Sequence, residues 1–319
     1  MDILPYNQVN LTRMKKILIA TEKPFSNHAV QEIRKILEDS GNNLEVLEKY
    51  PDKSTLLEAV VDANALIVRS DNIDKEVLDA AKSLSVVVRA GAGYDNIDLE
   101  VASSKDIVVM NTPGQNANAV AELAFGMMLY LIRNGFNGKA GTELRNKKLG
   151  IHAYGHVGRI VGLIAKGFGM KTYSFDPFID KIFIENDGVK YEPSMEGLYS
   201  KCQYISLHLP LNEKTRNSIG YDFLSKMPAN AMLINTARKE IIDDEGLLKT
   251  LQEREDFRFI SDIKPDNAPE LLERFPERVF FTAKKMGAQT AEANMNAGLA
   301  AARQIVSYFS EGDKTFQVN

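Results

Sequence analysis

Short, β-branched apolar runs alternate with amphipathic stretches along nearly the whole chain. The first series is "KILIAT" (16–21), "ALIVRS" (65–70), "LSVVVRAG" (84–91) and "DIVVMN" (106–111). The second is "KLGIHAYG" (148–155), "KTYSFD" (171–176), "YISLHLP" (204–210), "AMLINTAR" (231–238), "RFISD" (258–262) and "VFFTA" (279–283). Many lack the apolar–polar alternation of a half-exposed strand, as strands covered on both faces do. Stretches such as "AVQEIRKILEDSG" and "DDEGLLKTLQER" carry helical spacing between them. Alternation of this kind implies parallel sheets with right-handed crossovers. The expected fold is α/β: two doubly wound, parallel-sheet, Rossmann-like domains with a cleft between them.

The pattern is interrupted at 116–147, "NANAVAELAFGMMLYLIRNGFNGKAGTELRN" included, which reads as one long helix connecting two α/β runs. The last stretch, "TAEANMNAGLAAARQIVSYFSEG", is a second long helix with no strand after it. It is expected to return to the first lobe and make that domain discontinuous. The expected domains are therefore 1–111 plus 290–319, and 112–289. Met14 opens "MKKILIATE", a natural first strand, so residues 1–13 read as an upstream-start extension or a loose arm.

Composition narrows the partners. The chain has 319 residues, 44% hydrophobic, with 39 basic and 43 acidic side chains for a net charge of −4. That balance argues against nucleic acid and is compatible with a small anionic ligand held locally. The single cysteine, Cys202, excludes an internal disulfide framework and suits a reducing cytoplasm. The apolar stretch "LAFGMMLYLI" (123–132) is too short to span a membrane, and the N-terminus has no signal-peptide pattern. No metal is expected.

After the run at 148 comes Ala153-Tyr154-Gly155-His156-Val157-Gly158, where a dinucleotide fingerprint would read G-x-G-x-x-G. Gly155 would let the backbone approach a pyrophosphate at a helix N-terminus, and Gly158 would let helix and strand pack closely. Ala153 stands where the first glycine serves the tight turn, and alanine suits it only with negative φ. Asp176 ends the next strand 18 residues after Gly158 (176 − 158), near the expected spacing of about 20. Its carboxylate suits ribose hydroxyls and opposes a 2′-phosphate, which points to NAD. The plainer alternative is a strand-end aspartate capping the turn before Pro177.

Several segments together resemble the D-isomer-specific 2-hydroxyacid dehydrogenases: "VVVRAGAGYDNID", "MNTPGQNANAVAELAFGMML", "KLGIHAYGHVGRIVGLIAKGFGMKTYSFDP", "YISLHLPLNEKTRNSIG" and "LINTARKEIIDDEGLL". The likeness runs from about residue 15 to the C-terminus. Within that family the chain is most similar to short, lysine-type D-3-phosphoglycerate dehydrogenases. The resemblance implies a substrate lobe from the N-terminal part plus the last helix, an inserted NAD lobe, and a homodimer. The dimer contact is expected on the "GMMLYLI" face. With no appended module after the last helix, feedback by serine is not expected.

The resemblance also assigns residues. Arg238 matches the catalytic arginine, whose guanidinium can grip a carboxylate and polarise the adjacent carbonyl. Gly91, Ala92 and Gly93 match the loop whose amides hold that carboxylate. Arg69 and Ser70 match substrate-facing positions, with Arg69 a candidate phosphate partner, and Asn116 matches the asparagine before "VAE". On the NAD side, Val120 matches a nicotinamide contact. His208, Pro210 and Thr215 lie in the segment beside the dinucleotide, followed by Thr236 and Ala237. Asp262 matches the carboxamide anchor, and Gly287 the glycine beyond the acid/base residue.

The chain departs from the family at its proton-transfer pair. The usual glutamate falls 29 residues after the arginine, which here is Asn267 (238 + 29), with Asp266 one residue off. The usual histidine cannot be present, because the four histidines are at 28, 152, 156 and 208. In "TAKKMGA", counting back from Gly287 puts Lys285 in its place, and counting forward from Thr282 puts Lys284 there. Lys285 is favoured as the acid/base. An ammonium can donate the proton that ketone reduction needs, and the neutral amine can accept one in alcohol oxidation. The expected substrate is a small anionic 2-hydroxy or 2-oxo acid, phosphorylated: 3-phospho-D-glycerate, with glyoxylate, hydroxypyruvate or another 2-oxo acid as alternatives. A third reading is a non-catalytic, NAD-sensing binding protein.

Overall fold

The computed structural model describes residues 14–319, so the expectation for residues 1–13 lies outside it. Two compact units divide the chain: residues through Gln115 with Asn294–Asn319, and Asn116–Ala293. The junctions fall at 116 rather than 112 and at 294 rather than 290. Thr112 accounts for the first difference. Its hydroxyl accepts the Gly91 N–H at 2.6 Å and its own N–H donates to the Gly91 carbonyl at 3.0 Å, tying the segment to the strands before it.

The first unit is built on five parallel strands: β1 (Lys16–Thr21), β2 (Asn43–Glu48), β3 (Ala65–Val68), β4 (Val86–Arg89) and β5 (Val108–Asn111). Their order is β2-β1-β3-β4-β5. Successive side chains feed opposite cores. Ile17 and Ile19 join Phe25, Ile33, Ala301 and Ile305 on one face, whereas Leu18 and Ala20 join Leu56 and Val77 on the other. Each fully buried Leu or Ile contributes roughly 1.5–3 kcal/mol by leaving water. Both faces are thus covered, which is why these strands read as unbroken apolar runs. The helix Ala291–Glu311 supplies Ala297, Ala301, Ala302 and Ile305 to the first core, as its return requires. A Cβ on Gly298 would stand 2.7 Å from Ile33 Cδ1, so the close approach needs glycine.

The second unit holds β6 (Lys148–His152), β7 (Lys171–Phe175), β8 (Lys190–Tyr191), β9 (Tyr204–Leu207), β10 (Met232–Asn235), β11 (Arg258–Ser261) and β12 (Val279–Phe281). These are parallel in the order β12-β11-β10-β9-β6-β7-β8. The winding reverses between β6 and β9. In open α/β sheets that switch point, at the carboxyl ends of the strands, is where ligands bind.

The helix expected over 116–147 stops earlier, at Ile132. Asn134, Gly135 and Phe136 have φ of 53°, 61° and 58°, and consecutive left-handed residues cannot continue a right-handed helix. Part of the face expected to meet a second copy is used within the unit, while Gly126 is exposed and Leu129 and Tyr130 are half-buried. Met127, Met128, Leu131 and Ile132 are buried in the unit's own core with Leu149, Ile151 and Ile234. Among the described residues no helix is long and apolar enough to cross a membrane.

Candidate active site

In the second unit, the residues picked out from the sequence gather at the carboxyl ends of its strands. The helix His156–Gly167 follows β6, with Gly155 as its N-cap and no side chain closing that end. A Cβ on Gly155 would meet nothing within 4 Å. The first amides of the helix, Gly155, exposed His156 and half-buried Val157 among them, therefore begin in open space, as an anionic diphosphate would require. Gly158 has the opposite role. A Cβ there would run into the Ala153 carbonyl oxygen and stand 3.1 Å from Ile151 Cγ2, so helix and strand pack this closely only through glycine.

Ala153 overturns the condition that the sequence reading placed on it, since its φ is +75°. The left-handed region costs an L-residue roughly 1–2 kcal/mol, while glycine adds about 0.4–1 kcal/mol of unfolded-chain entropy. Ala153→Gly is therefore expected to stabilise the protein by about 0.5–1 kcal/mol, read calorimetrically as a rise of about 1–3 °C. An unchanged or lower transition would show that the turn is unstrained.

Asp176 closes this loop from below. Its Oδ2 accepts the Tyr154 N–H at 2.7 Å and its Oδ1 the Phe178 N–H at 2.8 Å. The plainer reading of Asp176 as a turn cap is thus realised, and lone pairs on both oxygens remain for hydroxyl donors. Tyr154 takes part through its backbone. Its ring is 1% exposed, and its hydroxyl donates to Asp187 Oδ2 at 3.2 Å.

Across the switch point, the His208 N–H donates to the His152 carbonyl at 3.0 Å, and its Nε2 lies 2.9 Å from Ser206 Oγ. Beyond it, the exposed Pro210 accepts a hydrogen bond from Thr215 Oγ1 at 2.6 Å, which closes the 210–215 loop on itself. His152 is 2% exposed with Nδ1 3.2 Å from the Tyr199 hydroxyl. Burial pushes its imidazole down to about 4, partly opposed by the Asp176 carboxylate. Desolvation, then His152, also lowers His208. A histidine whose folded pKa lies below its unfolded value contributes stability that is lost as pH falls. For His152 the window runs from about 6.5 down to about 4. The loss is about 1.4 kcal/mol per pH unit. Urea midpoints are expected to fall from pH 7 to 5, and His152→Gln should flatten that slope; an unchanged slope would exclude His152 as its source.

Further along the sheet, Arg238 leaves β10 in extended conformation, φ −139° and ψ 142°. Buried Asn235 braces this turn. Its Oδ1 accepts the Ala237 N–H at 2.9 Å and its Nδ2 donates to the Arg238 carbonyl at 2.9 Å. Asn235 was not among the residues expected at the site, yet a strand-end asparagine two residues before the amide it caps is an Asx-turn signature. Thr236 is 8% exposed, and its buried Oγ1 has no hydrogen-bond partner in the protein. An orphaned hydroxyl at a strand end is what a ligand's polar group would satisfy.

Asp262, 1% exposed at the end of β11, accepts the Met286 N–H on Oδ1 at 2.7 Å and the Gly287 N–H on Oδ2 at 2.8 Å. A Cβ on Gly287 would stand 2.8 Å from Asp262 Oδ2 and 3.3 Å from Val120 Cγ2. The carboxylate expected to anchor a carboxamide thus also holds the lysine loop. Lys284 and Lys285 are both exposed on that loop. At the position of the missing glutamate, Asn267 donates to the Asp244 carbonyl at 3.3 Å, and its Oδ1 is buried without a partner. Asp266, one residue before it, is exposed and forms an ion pair with Lys239.

In the first unit, the candidates follow β3 and β4. Arg69 Nη1 donates to the carbonyls of Lys23 at 2.8 Å and Pro24 at 3.1 Å, its Nη2 bonds Asn294, and the guanidinium lies 5.2 Å from the Phe25 ring centroid. Ser70 beside it is exposed. Gly91, φ +146°, has its N–H taken by Thr112, and the Asn111 side chain holds the Ala92 carbonyl at 2.7 Å. Of the loop Gly91-Ala92-Gly93, the first amide is thus taken up within the protein. In the second unit, Asn116 stands at the N-cap of the helix Ala117–Ile132, and its side chain makes no capping hydrogen bond.

The sequence pattern of the family described as D-isomer specific 2-hydroxyacid dehydrogenase, catalytic domain, matches residues 19–319. The chain is 35% identical over 306 residues to D-3-phosphoglycerate dehydrogenase of Methanocaldococcus jannaschii, covering 92% of this chain and 57% of that one. It thus spans just over half the length of that relative. It is 31% identical over 309 residues to hydroxypyruvate reductase of Thermotoga maritima, covering 92% and 98% respectively. Among solved structures it is similar to the NAD+-bound 3-phosphoglycerate dehydrogenase of Entamoeba histolytica, with 48% identity, a TM-score of 0.88, and coverage of 96% and 99%. The family match runs through residues 19–319, and the chain belongs to the D-isomer specific 2-hydroxyacid dehydrogenase family.

Proposed function

We propose that this chain oxidises 3-phospho-D-glycerate to 3-phosphohydroxypyruvate with NAD+, opening serine biosynthesis. The observation that carries the reading is the open turn at Gly155 on the same strand edge as Arg238 and the pinned lysine loop. The residues fit the cofactor: the space above Gly155 suits a diphosphate, Asp176 suits ribose hydroxyls, and the orphaned Thr236 hydroxyl awaits a polar partner. When bound, NAD+ supplies the ring that accepts the C2 hydride. The chain's residues do the rest. Arg238 holds the substrate carboxylate and polarises the oxygen that becomes the carbonyl. Neutral Lys285 takes the hydroxyl proton, and in reduction its ammonium returns one. The similarity to proteins named D-3-phosphoglycerate dehydrogenase supports the substrate.

A second reading, reduction of glyoxylate or hydroxypyruvate, is favoured by one observation. The Arg69 guanidinium, the candidate phosphate partner, is already engaged with Lys23, Pro24 and Asn294. Following NADH oxidation with 3-phosphohydroxypyruvate, hydroxypyruvate, glyoxylate and pyruvate separates the two. The first substrate is expected to lead in kcat/KM. A ratio near one against hydroxypyruvate would favour the second reading, and indifference to all four would favour a binding protein.

NAD is expected to be preferred over NADP. Asp176→Ala should narrow the gap, mainly by weakening NAD, because the Tyr154 amide loses its acceptor as well. Comparable kcat/KM for the two cofactors in the wild type would contradict this role for Asp176.

A further inference from the structure

We propose that Asp262 and Thr282 are positioning residues for the acid/base, and that they are what distinguishes Lys285 from Lys284. The inference rests on the reading of Lys285 above and deepens it. Two peptide planes flank the Lys285 Cα. The one before it ends in the Lys284 carbonyl, which lies 2.8 Å from Thr282 Oγ1. The one after it begins with the Met286 N–H, which donates to Asp262 Oδ1 at 2.7 Å. Both planes are therefore pinned by buried side chains, Thr282 at 5% and Asp262 at 1% exposure. Pinning both planes fixes the φ and ψ of Lys285, and with them the direction of its Cα–Cβ bond.

The two pins are one assembly. Thr282 Oγ1 also lies 2.8 Å from the Asp262 carbonyl and 3.0 Å from its Oδ1, so the threonine's single proton is shared among three acceptors. The second carboxylate oxygen takes the next amide, Gly287, at 2.8 Å. Successive N–H groups converging on one anion form a nest, here with the anion supplied by the protein. Gly287 is required by the same contact, since its Cβ would crowd Asp262 Oδ2. The loop carries one residue more than the family's histidine-bearing loop. Clamping it from both sides of Lys285 gives a flexible side chain a defined root, which a histidine would otherwise receive from its glutamate.

The test is steady-state kinetics of the full chain with NADH and 3-phosphohydroxypyruvate, or hydroxypyruvate if only that is turned over. Thr282→Val keeps the shape and removes the hydroxyl. Asp262→Asn leaves one acceptor oxygen for two amides. Each is expected to lower kcat about 10–100-fold. Thr282→Val should not lower it further in a Lys285→Ala background, because its hydroxyl acts through that side chain; Asp262→Asn is read at saturating NADH, since the same carboxylate is the expected carboxamide anchor. The alkaline limb of the reduction profile should also move in each single variant. The inference is overturned if the Thr282→Val loss multiplies in the Lys285→Ala background. It is also overturned if Asp262→Asn only raises the dissociation constant for NADH, with kcat and the pH limb unchanged. An inert Lys285→Ala would remove the reading of Lys285 itself, and turnover of neither oxo acid would remove the oxidoreductase reading; the inference falls with either.

Discussion

Lys285→Ala is expected to lower kcat/KM about 10²–10⁴-fold in both directions, the usual range for a positioned acid or base. Lys284→Ala should do much less, since the backbone pins converge on the neighbouring residue. The pH profile identifies the group independently. Lysine has an ordinary pKa near 10.4, against about 6.5 for the histidine usual in the family. Alcohol oxidation needs the neutral amine, so its rate should still climb on the alkaline side of neutrality. Ketone reduction needs the ammonium, so it should run well at pH 7 and decline only at alkaline pH. The measurement is kcat/KM against pH in both directions for the wild type and both alanine variants. An oxidation profile that levels off near pH 6.5, or an inert Lys285→Ala beside a crippled Lys284→Ala, would assign the role elsewhere.

Arg238→Ala is expected to cost a comparable factor by a different route. A bidentate guanidinium–carboxylate grip comprises two charge-assisted hydrogen bonds of about 1.5–3 kcal/mol each. Together these amount to about 10²–10⁴ in kcat/KM. The loss should fall on the oxo-acid KM as well as on kcat, because the same group binds the carboxylate and polarises the carbonyl. Affinity for NADH should be nearly unchanged. Arg238→Lys should recover only part of the activity, since an ammonium keeps the charge but lacks the planar fork. Steady-state kinetics paired with NADH fluorescence titration checks this. An Arg238→Ala variant with a raised NADH dissociation constant and an unaltered oxo-acid KM would move Arg238 to the cofactor.

What could be read from the sequence was what local chemistry determines. Strands covered on both faces, such as β1 and β3, declare themselves as apolar runs. The edge strand β2 does not, because of "NLEVLE" only Leu44 is buried; β8, with two residues, carries no period at all. The helix end at Ile132 was signalled by Asn134-Gly135, but the apolar run before it dominated the pattern. Gly155, Gly158 and Asp176 were legible because the turn, the helix start and the next strand lie within one βαβ unit. Ala153 was legible as a departure, whereas the sign of its φ belongs to the folded turn. The nest around Asp262 was hidden for a different reason. Its partners lie 20 to 25 residues away along the chain, across a helix and a strand. Arg69 is an extreme case, with its partner Asn294 separated by 225 residues.

The return of the last helix has a consequence for the newborn chain. Asn111 ends the fifth strand, and the helix that completes one of its two cores begins 180 residues later, at Ala291 (291 − 111). At a synthesis rate of about 5–20 residues/s, that delay is about 10–40 s. Throughout it, Ile17, Ile19, Ile67 and Val88 lack the alanine-rich cover that Ala297, Ala301 and Ala302 will supply. The contiguous second unit can close first on the ribosome, so the half that emerges earliest is the last to complete its core.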